Sequence, residues 1–174
     1  NIYVLGKTIP VIQNRYGLLP NAVSNLLKSK CEGGYIGNRK CFLRKGIKQS
    51  HQQSFLSCIA DLLSPNKKDI FTVQMLKKQL ISKLTPKLFK SLNNGLLEFR
   101  FDNPKNNISA YDNFKKFIMS DNIVITDEYL WDFLQRPGVL FDEGCNIIII
   151  NYENIKCPYK EFATNFYNKD RPTF

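Results

Sequence analysis

The sequence predicts an α+β fold, on three observations. Segments with apolar residues at helical spacing fill the first two thirds of the chain. Short runs rich in β-branched residues come late, the longest being Ile147–Ile150. Thirteen Phe, eight Tyr and one Trp in 174 residues need a core to enter, which argues against disorder. Helices and strands segregated along the chain are the α+β pattern.

The elements follow in order. Ile2–Ile12 reads as an arm or short strand, and Asn14–Pro20 as a turn. A short helix over Asn21–Lys30 has Pro20 at its start, where a missing N–H costs nothing, and Val23, Leu26 and Leu27 on one face. Cys31–Gly37 is a loop, because its three glycines hold regular structure poorly. Cys41–Leu43 suits a brief strand.

Ser50 is a suitable N-cap for a helix to Leu63, with Phe55, Leu56, Cys58, Ile59, Leu62 and Leu63 on its apolar side. Asp69 or Thr72 starts the next helix, in which Val73, Leu76, Leu80 and Leu84 form a stripe and Lys77, Lys78 and Lys83 lie largely off it. Pro86 starts a short helix that Asn93, Asn94 and Gly95 end with a left-handed cap. Leu97–Phe101 alternates apolar and charged residues, as a half-buried strand does, although it also fits continued helix.

Ile108–Met119 is an amphipathic helix. Thr126 caps another to Gln135, with Asp127 and Glu128 placed favourably against the helix dipole. Pro137 and Gly138 break it, and two strands, Val139–Phe141 and Asn146–Asn151, flank a turn. Arg171–Phe174 reads as the start of a further strand. The chain begins at Asn1 without Met and stops in mid-pattern at Phe174, so it is expected to be a piece of a longer polypeptide.

Composition excludes several functions. No apolar run approaches the roughly 20 residues that span a bilayer, and no membrane partner is expected. No GxxxxGK[ST] phosphate loop is present, and Gly33–Gly37 reads as a surface turn. The carboxylates Asp142, Glu143 and Glu153, with Lys156 nearby, make a poor nuclease site, because acidic turns are ordinarily solvated.

Five cysteines, an odd count with irregular spacing, fit reduced thiols better than a disulfide framework. Cys31, Cys41, Cys145 and Cys157 allow a four-thiolate zinc site on paper, but idle or packed thiols are the simpler reading. No metal and no cofactor are expected.

The net charge of +10 is unevenly placed. Residues 28–48 carry seven basic groups against Glu32, and residues 67–90 carry seven lysines against Asp69. Residues 120–153 carry seven acidic groups against Arg136. Such a field orients a polyanion, although solvated helix faces produce the same counts. Arg39, Lys40, Arg44, Lys45 and Lys48 are the candidate phosphate contacts, with Tyr35 and Phe42 interleaved as stacking groups.

Residues 44–63, RKGIKQSHQQSFLSCIADLL, hold the only histidine together with a hydroxyl and a thiol near a predicted helix start. Unpaired N–H groups there stabilise a developing negative charge. Cys58 lies inside the apolar helix and reads as a packed thiol. Ser54 is better placed, but a hydroxyl needs a base, and His51 three residues upstream reads more simply as a surface or capping residue.

Gln53–Leu63 resembles the nucleophile helix of ovarian-tumour (OTU) type cysteine proteases, in which an Asp-Gly-Asn-Cys turn precedes Leu-Phe-x-Ala-Ile-Ala. In register, Ser54 stands at the catalytic Cys, and His51, Gln52 and Gln53 replace the oxyanion turn. The resemblance implies an OTU/papain-like fold of helices on a small sheet, truncated at the C-terminus, with the chemistry lost. A serine there has no low-pKa thiolate. Residues 1–19 would be an arm and residues 20–174 the OTU-like domain.

A second resemblance covers more of the chain. Arg15–Pro20, Phe42–Ile47 with Ser54–Leu56, Leu92–Gly95, Tyr129–Trp131, Cys157–Pro158 and Arg171–Pro172 together look like a segment of the early transcription factor large-subunit family of nucleocytoplasmic large DNA viruses. It implies a non-catalytic scaffold or binding domain that contacts viral transcription machinery, another protein or DNA. The implied location is the host cytoplasm or viral factory, or the virion. The alternative is an active OTU-type deubiquitinating peptidase, with ubiquitin as partner and its catalytic His beyond Phe174.

Overall fold

The computed structural model describes residues 4–6, 11–31, 41–64, 70–105, 107–150 and 168–174, with the side chains of residues 4 and 5 left out. The chain divides into two compact units. Unit 1 is Asn1–Gln49 with Ile148–Phe162, and unit 2 is Ser50–Ile147 with Ala163–Phe174. Helices and a small sheet coexist, as the α+β pattern predicts.

Unit 1 carries the sheet, in the order β1 (Val4–Leu5), β2 (Tyr16–Leu18), β3 (Leu43–Lys45). Strand β1 runs parallel to β2, and β3 antiparallel to it, pairing Tyr16 with Lys45, Gly17 with Arg44 and Leu18 with Leu43. The segment expected as a turn is therefore the central strand, and residues from the expected arm supply two of the three strands. The third forms slightly later than Cys41–Leu43. Gly46 is required beside it, because a Cβ there would strike the carbonyl oxygens of Val11 and Ile12.

Helix α1 (Asn21–Leu26) starts behind Pro20, as expected, but is shorter than predicted. Lys28 takes a φ of 50° and turns the chain out of the helix. Val23 is buried, while Leu26 and Leu27 are exposed.

Unit 2 is helical: α2 (Ser54–Leu62), α3 (Val73–Lys83), α4 (Pro86–Ser91), a 3-10 turn (Leu92–Gly95), α5 (Leu96–Phe101), α6 (Ala110–Met119) and α7 (Asp127–Gln135). Caps explain several starts. The Oγ1 of Thr72 accepts from Met75 N, that of Thr85 from Leu88 N, and the Oγ of Ser109 from Asp112 N. Thr126 occupies the cap of α7 without such a bond.

Asn93, Asn94 and Gly95 all take positive φ (48°, 56° and 85°), a conformation that suits Asn and Gly. The reversal leads into helix α5, which settles the ambiguous Leu97–Phe101 as helix. Leu97 is buried, and the Phe101 ring meets those of Phe114, Phe117 and Tyr129.

The core of unit 2 runs through Leu56, Leu76, Leu80, Phe89, Leu92, Leu97, Phe114, Ile118, Leu130, Phe133 and Leu134, all fully buried or nearly so. Helix α3 packs on α2 and α6, and α5 packs on α6.

Among the described residues, two expected strands do not appear. Val139–Phe141 belongs to a turn closed by bonds from Gly138 N and Gly144 N to Phe141 O. Gly144 sits against the end of α7, where a Cβ would lie 2.6 Å from Gln135 O. After it, Asn146 forms an isolated parallel bridge with Thr173. The buried Asn146 amide also donates to Asn168 O at 2.8 Å and to Thr173 Oγ1 at 3.1 Å. Among the described residues this run meets the C-terminal segment in a single bridge at Asn146, Ile149 also lies in a bridge, and no ladder joins 139–141 to 146–150. Asn151 lies outside the described residues.

Candidate functional site

The stretch singled out by sequence lies at the start of α2. Ser54 is the first helical residue, and Gln53 precedes it as the cap. The Ser54 hydroxyl closes on its own chain, accepting from Ser50 N at 2.9 Å and donating to Ser50 O. The Ser50 hydroxyl accepts from Gln53 N at 3.1 Å, so it caps the turn ahead of the helix rather than the helix itself. His51 is exposed, and among the described residues no hydrogen bond joins it to Ser54. The hydroxyl and the ring are close in sequence but are not assembled as nucleophile and base.

Cys58 is exposed, against the expectation of a packed thiol. Helix α2 turns Leu56, Ile59 and Ala60 to the core, and position 58 falls at the margin of that face. Its sulfur is still partly withdrawn from water. That desolvation, with the nearby Asp61 charge, holds the thiol above its usual value. A raised thiol yields little thiolate at neutral pH.

The residues that would shape an oxyanion turn do other work here. The Gln53 amide donates to Ile123 O at 3.1 Å and to Ser120 O and Asp121 O at 3.4 Å. Gln52 O accepts from Ile125 N at 3.0 Å. These bonds hold the α6–α7 connection against the start of α2.

Lys77 completes that anchorage. Expected off the apolar stripe, it is fully buried. Its ammonium donates to Ser120 O and Asp121 Oδ1, each at 2.7 Å, while Gln74 donates to both Asp121 carboxylate oxygens. The spacing itself carried the signal: residues 73, 77, 80 and 84 fall on one helical face. The residue type argued against a position that the period allowed.

Replacing Lys77 with Met should destabilise unit 2 by about 1–3 kcal/mol, because Ser120 O loses its 2.7 Å donor and keeps only the longer bond from Gln53. Urea unfolding followed by Trp131 fluorescence measures it, and an unchanged midpoint would contradict the anchorage. The Lys77 hydrogen bond and then its charge hold the Asp121 carboxyl below the usual range. Its contribution to stability is therefore present above the unfolded value of about 4 and is lost as pH falls through the lower folded value. Asp121→Asn should flatten that acid limb.

Of the five basic candidates, Arg39 and Lys40 lie outside the described residues. Arg44 is half-buried, and its Nε donates to Leu18 O at 2.8 Å, so its guanidinium helps to tie β3 to β2. Lys45 is exposed on β3 opposite Tyr16, and Lys48 is exposed beyond the strand. Phe42, a proposed stacking group, is 52% exposed, and Tyr35 lies outside the described residues. Asp142 and Glu143 are exposed in their turn, while Glu153 and Lys156 fall outside the described residues.

The expectation of reduced thiols fails at one pair, because Cys31 and Cys41 form a disulfide with Cα atoms 4.7 Å apart. The turn at Lys28 brings the end of α1 beside the start of β3, where the Ser29 hydroxyl accepts from Phe42 N at 2.9 Å. Both sulfurs are committed to each other, which removes them from the four-thiolate set. Among the described residues no three His, Cys, Asp or Glu side chains group as metal ligands, and no helix is long and apolar enough to cross a membrane.

No family model, no curated protein and no solved structure matches the chain.

Proposed function

We propose that the chain is a non-catalytic, OTU-like binding domain of a viral early-transcription protein. In this reading its basic unit 1 contacts nucleic acid, and its helical unit serves as scaffold. The family and the OTU-like fold rest on the sequence resemblances at Arg15–Pro20, Phe42–Ile47 and Gln53–Leu63. The observation that carries the loss of chemistry is the Ser54 hydroxyl, which bonds to the N–H and C=O of Ser50. A nucleophilic hydroxyl has to hand its proton to a base, and a backbone carbonyl is no base at neutral pH.

The exposure of Lys45, Lys48 and the Phe42 ring, all within seven residues of sequence, supports the nucleic-acid assignment. Lysines neutralise phosphates, and an aromatic ring offers a base a stacking surface. Fluorescence anisotropy with a labelled single-stranded oligonucleotide tests it. Two phosphate contacts should weaken binding by about tenfold between roughly 50 and 200 mM salt. Lys45→Glu with Lys48→Glu should abolish the salt dependence along with most of the affinity. Binding that ignores salt, or no binding at the lower concentration, would remove the assignment.

A further inference from the structure

We propose that the Cys31–Cys41 bond is a redox-operated clasp on unit 1: closed, it defines the sheet and α1, and opened by a dithiol it releases them while unit 2 stays folded. This goes beyond the functional reading and does not depend on it.

The first support is the distribution of the core. Among the described residues, Leu19 and Val23 are the buried hydrophobic side chains of unit 1, and all the others belong to unit 2. Among the described residues, unit 1 is otherwise built from strands of two or three residues and a six-residue helix. Elements this short do not persist alone, because helix nucleation is costly and narrow sheets are marginal. A crosslink restricts the open chain and so favours the folded arrangement it spans.

The second support is position. The clasp ties the segment leaving α1 to the segment starting β3. Around it the contacts are polar and local. Ser29 N donates to Ser24 O at 2.8 Å, Ser24 Oγ to Ser29 O at 3.0 Å, and Phe42 N to Ser29 Oγ at 2.9 Å. Cys31 and Cys41 are both half-buried, which leaves a route for a small thiol. The described thiols of unit 2 are poor competitors for the bond. Cys145 is buried and pushed up to about 11 by that burial, and Cys58 is also raised.

The exchange balances. One thiolate of the dithiol attacks a sulfur of the bond and forms a mixed disulfide. The partner cysteine leaves as its thiolate in that step, and the reagent's second thiol then attacks the reagent's own sulfur in the mixed disulfide and displaces the cysteine first attacked. Two electrons and two protons pass to Cys31 and Cys41, and the reagent leaves as its own cyclic disulfide. Oxidised glutathione, a disulfide oxidant, reverses the change through the mirror-image steps.

Hydrogen exchange on the full chain tests this, with dithiothreitol as the dithiol. Thiol titration under denaturing conditions should find two more thiols in the reduced protein than in the oxidised one. On reduction, peptides covering Tyr16–Leu18 and Leu43–Lys45 should exchange at least about tenfold faster, while those of α3, α6 and α7 keep their rates. Oxidised glutathione should restore the slow pattern. The double variant Cys31→Ser, Cys41→Ser should show the fast pattern without reductant. Equal exchange of the sheet peptides in both redox states would overturn the clasp. So would acceleration that spreads equally to α3, α6 and α7. Reduction of the unmodified chain decides the matter even where the double variant fails to fold.

Discussion

Replacing Asp132 with Ala should lower the stability of unit 2 by about 3 kcal/mol or more, the cost of removing one partner from a buried charge pair. Asp132 is 3% exposed on α7. Its carboxylate accepts from Arg136 Nε at 3.0 Å and Nη2 at 3.1 Å, one helical turn on. It also accepts from the backbone N–H of Asn93 at 2.8 Å, while the Asn93 amide donates to Glu128 O at 2.9 Å. The carboxylate thus holds a guanidinium and the left-handed reversal that aims α5. Alanine removes the acceptor from both and leaves α5 without its fixed starting direction. Urea unfolding read by Trp131, the chain's only tryptophan and the neighbour of Asp132, reports the loss directly. Asp132→Asn keeps an acceptor at the Asn93 N–H and should cost less than alanine. A loss under about 1 kcal/mol in the alanine variant would show the pair to be as weak as a surface ion pair.

Phe114→Ala should be similarly severe, at about 3–5 kcal/mol, the range for emptying a buried aromatic site. Phe114 is fully buried on α6. Its ring lies 4.9 Å from that of Phe101, 5.3 Å from Phe89 and 6.3 Å from Phe117, centroid to centroid. It therefore joins α4, α5 and α6, and alanine withdraws contacts from all three. Phe114→Leu refills much of the volume and should recover most of the loss. Equal unfolding midpoints for the alanine variant and the parent chain would place the core elsewhere.

The helices of unit 2 were legible because period and punctuation agree there. Thr72 caps its helix, as one of the two expected starts, and Pro86 sits at a helix start, while the caps at Thr85 and Ser109 come from the structure. Asn93, Asn94 and Gly95 turn left-handed, as their side chains allow. What failed to show depends on contacts between distant segments. The isoleucines after Asn146 have strand composition, yet among the described residues the run carries isolated bridges at Asn146 and Ile149 and no ladder. Tyr16–Leu18 reads as a turn until Leu43–Lys45 lies beside it. Cys31 and Cys41 meet because Lys28 leaves α1 with a positive φ, which no spacing rule anticipates. At the candidate site the sequence placed the helix start near Ser50, and the structure begins α2 later, at Ser54 behind Gln53. The bonds of its hydroxyl to Ser50, and the use of Gln52 and Gln53 to hold residues 120–125, are matters of rotamer and packing that residue type alone does not fix.

The absence of nucleophile chemistry at Ser54 is the most exposed claim. Release of the fluorophore from a ubiquitin-linked fluorogenic amide tests it most directly, using the protein at its natural length beside its Ser54→Ala variant. Both should give the rate of the buffer blank. Turnover by the parent protein that Ser54→Ala abolishes would contradict the account and make this turn a working active site.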